Sequence, residues 1–68
     1  MKVYQFSWCV CSFDQECNVE ASSKEKAIEI FSKKNKFVWK NNEPSISCLN
    51  KTYTKDWIKK NIKIHYSE

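Results

Sequence analysis

Lys2-Val3-Tyr4-Gln5-Phe6-Ser7-Trp8-Cys9-Val10-Cys11-Ser12 is the stretch on which the fold depends. Its residues alternate, with Tyr4, Phe6, Trp8 and Val10 on one side and Val3, Gln5, Ser7, Cys9 and Cys11 on the other. A period of two with bulky groups on one side describes a strand with one strongly apolar face. The alternation argues against a secretory leader, in which a basic residue such as Lys2 would precede an unbroken leucine-rich run ending in small residues. The stretch is also far shorter than the ~20 apolar residues that span a bilayer as a helix, so no membrane is expected.

Outward from that strand, Cys17, Val19 and Ala21 alternate with Glu16, Asn18 and Glu20 as a second one. With Phe13 to Glu16 as the hairpin loop, Val10 stands opposite Val19, Trp8 opposite Ala21 and Ser12 opposite Cys17, and the apolar faces coincide. Ser22-Ser23-Lys24-Glu25 has the form of a capping box with Ser22 as the cap, so a helix opens there. Ala27, Ile28 and Phe31 share one helical face with Ile30 at its flank, Glu29 precedes Lys33 by four, and Asn35 closes the helix. Lys36 to Lys40 reads as a third strand, Asn41 to Pro44 as a turn, and Ile46 and Cys48 alternate with serines in a weaker strand. Thr54 caps a short second helix with Tyr53 stapled to Ile58, and Asn61 ends it in the left-handed conformation. Ile62, Ile64 and Tyr66 then alternate with Lys63 and His65 as a final strand. The expected architecture is α+β, one domain over residues 1–68. Its order is β-β-α-β-(β)-α-β, an antiparallel sheet of four to five strands with the helices packed on one face.

A chain of 68 residues builds one modest core. Its 41% of hydrophobic residues rule out a disordered tail, which lacks bulky apolar groups. The absence of glycine excludes the dinucleotide fingerprint and the phosphate-cradling loop. One histidine, His65, and no arginine leave little from which to assemble a catalytic constellation. The expectation is therefore a binding protein, not an enzyme, with no cofactor.

Cys9 and Cys11 form a CxC pair, whereas common zinc knuckles use CxxC on a turn so that two thiolates converge on one metal. Residues two apart on a strand stand nearly 7 Å apart, too far for an easy disulfide. The hairpin turns Cys17 toward the core and Cys9 and Cys11 away from it. The four cysteines, Cys48 included, are read as free thiols in a reducing cytoplasm, with no metal site assigned; zinc and disulfides are the alternatives.

Charge is uneven: residues 1–32 hold three lysines against five acids, net −2, and residues 33–68 hold nine against three, net +6. Lys33, Lys34, Lys36 and Lys40 form one cluster, and Lys55, Lys59, Lys60 and Lys63 a second. Such patches attract phosphates or an acidic protein surface. In Lys36-Phe37-Val38-Trp39-Lys40 aromatics interleave with lysines, a pattern open to base stacking, although Trp39 is read first as core or interface. The candidate partner-binding residues are Lys33, Lys34, Lys36, Trp39, Lys40, Lys59, Lys60 and Lys63. The lack of arginine favours a protein or ribonucleoprotein partner over direct DNA or RNA binding, which is the alternative for the basic second half. Open sheet edges place a homodimer beside the monomer as an equal expectation.

In order and texture, Lys2 to Ser12, Glu16 to Ala21 and the helix opening Ala21 to Glu29 resemble a group of very small phage-encoded inhibitors of host machinery. That group includes an inhibitor of bacterial RNA polymerase and several anti-CRISPR proteins. The resemblance covers roughly the first half of the chain. It implies a non-enzymatic protein of the host cytoplasm that works by occupying a surface of a nucleic-acid-handling complex. The many acids of DNA-mimicking inhibitors are missing here, so electrostatic mimicry of nucleic acid is not expected.

Overall fold

The computed structural model describes residues 1–49 and 54–68, and of Lys55 and Lys59 the backbone alone. The chain runs β1 (Lys2–Val10), β2 (Phe13–Ala21), α1 (Lys24–Lys34), α2 (Lys36–Asn41), β3 (Ser45–Cys48), α3 (Lys55–Asn61) and β4 (Tyr66–Ser67). The four strands form one sheet in the order β3-β1-β2-β4. β1 pairs antiparallel with β2 and β3, but β4 joins β2 in parallel, so the sheet is mixed and not wholly antiparallel as expected.

Both faces of the expected β1–β2 hairpin hold, and its register does not. Val10 pairs with Phe13, Phe6 with Cys17 and Tyr4 with Val19. The loop is the two-residue turn Cys11–Ser12, with φ of 49° and 71°. Positive φ at both central residues gives the turn a twist that matches the strands, a geometry usually marked by Asn-Gly. Without glycine that signal was missing. The shift relative to the expected pairing is an even number of residues, and strand side chains repeat every two, so every apolar group stays on its side.

Lys36 to Lys40, expected as a strand, is helical. A strand would put Phe37 and Trp39 on one side and Val38 on the other. The helix brings Val38 and Trp39 together onto the sheet and leaves Phe37 outside. A three-residue apolar run between two lysines has no period that separates the two forms, and packing decides.

One core lies between the sheet and α1–α2, where Tyr4, Phe6, Cys17, Val19 and Ala21 meet Ala27 and Phe31. The Phe6 and Phe31 rings stack with centroids 4.3 Å apart, and Trp39 meets both edge-on. A second cluster joins Val3, Leu49, Ile58 and Ile62. Val3 alternates with Tyr4, so this cluster and α3 lie on the other face of the sheet. The helices therefore cover both faces, and the expectation of one is corrected. Val3 is the lone apolar side chain on that side of the first strand that ends up buried, and it is the seat for Ile58.

At the helix ends, Ser23 caps α1 in place of Ser22, accepting from Lys26 N at 3.3 Å. Ser22 is engaged elsewhere, its N–H donating to Glu68 Oε2 at 2.7 Å and its hydroxyl to Oε1 at 3.2 Å. Asn35 ends α1, and Thr54 caps α3 by accepting from Trp57 N, both as expected. Ile62, not Asn61, is the C-cap of α3; Asn61 Nδ2 donates back to Trp57 O. The last strand is only Tyr66–Ser67, because Ile62 belongs to the far core and Tyr66 to the near one, so residues 62–66 pass round the sheet edge. The expected Tyr53 staple lies outside the described residues.

Candidate functional site

α1 and α2 meet at Asn35, whose φ of −132° and ψ of 57° interrupt the helical run. Its N–H donates to Phe31 O at 2.8 Å and its carbonyl accepts from Trp39 N at 3.0 Å, so one residue closes a helix and opens the next. The resulting elbow, residues 33–40, carries four lysines and no acid. Lys33, Lys34, Lys36 and Lys40 are all exposed. Lys36 and Lys40 sit one turn apart on α2. Lys33 and Lys34 occupy the last turn of α1, where the helix dipole favours cations. Lys33 also reaches Glu29 Oε1 at 3.2 Å. Lys34, Lys36 and Lys40 have no carboxylate partner among the described residues.

Trp39 turns inward to Phe6 and Phe31, half-buried. Phe37, two residues earlier, is 76% exposed. Phe13, beside the hairpin turn, is 71% exposed and faces a partly exposed Val10. α1 runs from the end of β2 back toward the hairpin, with Phe31 against Phe6 and Trp8. Where α2 ends, Asn42 Nδ2 donates to Cys9 O at 3.4 Å. The end of α2 therefore lies against the hairpin, so that Phe13 is exposed on the hairpin while Phe37 and four lysines are exposed on the elbow and the helix that leads from it. Large aromatics this exposed add nothing to the core and are a common mark of a contact surface.

The same end has an acidic side. An open cleft of about 500 Å³ lies beyond the start of β3, with Trp8 and Cys9 in its lining and Asp14, Glu16 and Glu43 as its carboxylates. Among the described residues no group of three or more His, Cys, Asp or Glu could hold a metal ion. No helix among them is long and apolar enough to cross a membrane.

The other expected lysines stand apart from the elbow. Lys60 is exposed on α3, in the layer across the sheet, and Lys63 is exposed beyond it, its carbonyl accepting from Asn18 Nδ2 at 2.8 Å. The Lys59 side chain lies outside the described residues. Among the described residues the basic second half is thus divided between two layers, and Lys33, Lys34, Lys36 and Lys40 come together in one of them.

His65 serves the sheet edge: its Nδ1 accepts from Asn18 N at 3.1 Å, and its own N–H donates to Asn18 O at 2.9 Å. Cys9 and Cys11 are exposed, Cys17 is buried and Cys48 half-buried, all as free thiols. Burial pushes the Cys17 thiol above its ordinary range, which makes it a poor nucleophile.

Phe13 escaped the sequence reading because it was placed in a loop, and Phe37 entered it only as part of an aromatic and lysine run in a strand, open to base stacking. The signal available was Asn35: a helix breaker followed by Lys-x-x-x-Lys spacing fits a second short helix as well as a strand. No protein-family model, curated protein sequence or solved structure matches this chain.

Proposed function

We propose that this chain is a small non-enzymatic binding protein that docks on an acidic, partly apolar protein surface through Phe13, Phe37 and the lysines of the α1–α2 elbow. The observation that carries the reading is Phe37, 76% exposed among Lys33, Lys34, Lys36 and Lys40. An aromatic anchor within a basic rim has the make-up of a protein interface, where the ring supplies affinity and the charges supply steering and register. Division of the lysines between two layers is a further support, since a continuous phosphate-tracking groove needs them on one surface. The resemblance to phage-encoded inhibitors makes a host nucleic-acid-handling complex, in the host cytoplasm, the partner of this proposal.

The test is capture from bacterial lysate on the immobilised protein, run beside the Phe37→Ser variant. A stoichiometric protein retained by the parent and lost by the variant is expected. Equal retention by both, or none by either, overturns the reading. Retardation of DNA or RNA that weakens steeply with salt would replace it with direct nucleic-acid binding.

A further inference from the structure

β3 is an edge strand: among the described residues it pairs with β1 alone, from Tyr4↔Cys48 to Ser7↔Ser45. Ser45-Ile46-Ser47-Cys48 carries neither charge nor proline, the devices that commonly block an edge against a further strand. Beside it, on the α1 face, is a recess of about 240 Å³ lined by Lys2, Tyr4, Lys24, Ile46 and Cys48. Tyr4, Ile46 and Cys48 give it an apolar floor. Lys2 and Lys24 are exposed at its margin, and neither has a carboxylate partner among the described residues.

We propose that β3 and this recess receive an extended segment of a partner protein, which adds a fifth strand and places an acidic side chain between Lys2 and Lys24. Main-chain hydrogen bonds along β3 would hold the segment, and the recess would select one side chain, the division of labour usual in strand addition. A second copy of this chain is the wrong occupant on charge. Antiparallel pairing of two β3 strands would set the Cys48 end of one copy against the Ser45 end of the other, and no residue of Ser45-Ile46-Ser47-Cys48 is an acid that could answer Lys2 and Lys24. The inference rests on the reading of the chain as a protein-binding module but uses a separate surface. Lys24 begins α1 and the elbow follows its end, about 15 Å away at 1.5 Å per residue.

The probes are two capped seven-residue peptides of alternating threonine and valine, one with a central glutamate and one with a central lysine. They are titrated into the ¹⁵N-labelled full chain. The glutamate peptide is expected to shift the amides of Ser45 to Cys48 together with those of Lys2 and Lys24. It should bind about threefold to tenfold more tightly than the lysine peptide, the effect of two exposed ion pairs. In Lys24→Glu the preference should shrink or reverse; an acid in the first turn favours the helix, so this variant keeps its fold. Equal affinity for the two peptides, shifts confined to other strands, or no shift at millimolar peptide overturns the inference. So does sedimentation of the free chain as a dimer whose β3 amides shift with protein concentration. Such a failure leaves the Phe37 surface untouched, while an unaltered capture by Phe37→Ser would remove that surface and not this one.

Discussion

The two faces of the sheet are secured by different physics. Under α1 and α2, Phe6, Phe31 and Val19 are fully buried and the rings of Phe6, Phe31, Trp8 and Trp39 pack on one another. Under α3 the described residues include the aliphatic side chains of Val3, Leu49, Ile58 and Ile62 and the buried polar Asn18, only 6% exposed. Asn18 ties residues 63–65 to β2 through its side-chain amide and both of its backbone groups. Among the described residues the buried rings, Tyr4, Phe6 and Phe31, all lie on the first side, and hydrogen bonds from Asn18 help to fasten the other. Hydrogen bonds contribute net about 1 kcal/mol each, against roughly 1.5–3 kcal/mol for a fully buried large side chain, so the near face should carry most of the stability.

The largest effect should come from breaking the near face at its centre. Phe31→Ala removes the ring that meets Phe6, Trp8 and Trp39, and should cost about 3–5 kcal/mol. A domain of this length is worth roughly 3–10 kcal/mol in all, so the variant should be largely unfolded at physiological temperature. Urea denaturation monitored by tryptophan fluorescence checks this, and a loss under 1 kcal/mol would show that the stacked rings are not the centre of the fold.

Asn18→Ala tests the far face and should cost less, about 1–3 kcal/mol, by leaving the Lys63 carbonyl without its donor. Asn18 Oδ1 has no partner among the described residues, so losing it is a small relief and the cost should fall at the low end. The damage should be local. Amide exchange at His65 and Glu68 should quicken while that of Phe31 stays near the parent rate; uniform quickening would mean the two faces unfold as one.

These two faces also differ in how far the sequence disclosed them. The near face was legible in the alternation of Tyr4, Phe6 and Trp8 and in the helical spacing of Ala27 and Phe31, because a period with large residues on it admits one reading. The far face was not, since Val3 is a single apolar residue among Gln5, Ser7 and Cys9, and one residue has no period. Its helix was expected at the right place with the right cap, Thr54, yet on the wrong side. Parallel pairing of β4 depends on contacts about 47 residues apart in sequence, Asn18 with His65, and nothing local announces them. At the candidate site the lysines of the elbow were visible as a charge cluster. Phe37 was not, because its exposure follows from α2 being a helix, and that follows from Trp39 finding Phe6 and Phe31.

Acid should loosen the β4 edge before it touches the near face. Ser22, through its backbone N–H and then its hydroxyl, holds the Glu68 carboxyl below its ordinary value of 4.5. A carboxylate with a depressed folded pKa contributes stability that is fully present above its unfolded pKa and is lost as the pH falls through the folded one. The Ser22 amide resonance should therefore move at acid pH, below the ordinary glutamate range, together with faster exchange of Glu68 N–H, which donates to Glu20 O. Glu68→Gln should flatten that titration, and an unchanged acid profile in this variant would assign it to another carboxyl.

The smallest effect lies on the near-face helix itself, at Phe37. Trp39 and Phe37 stand two residues apart on α2, and the comparison between faces recurs between them, since one ring is packed on Phe6 and Phe31 and the other is 76% exposed. Trp39→Ala should cost about 3 kcal/mol, less than a fully buried ring would because Trp39 is half-buried. Phe37→Ser should change stability by no more than about 0.5 kcal/mol, as exposed substitutions do. Serine is slightly less helix-favouring than the best formers but close to phenylalanine, so propensity adds little. Paired urea melts of the two variants read both numbers under the same conditions. A Phe37→Ser loss comparable to that of Trp39→Ala would mean the ring packs against this chain after all, and the elbow would then lose its aromatic anchor.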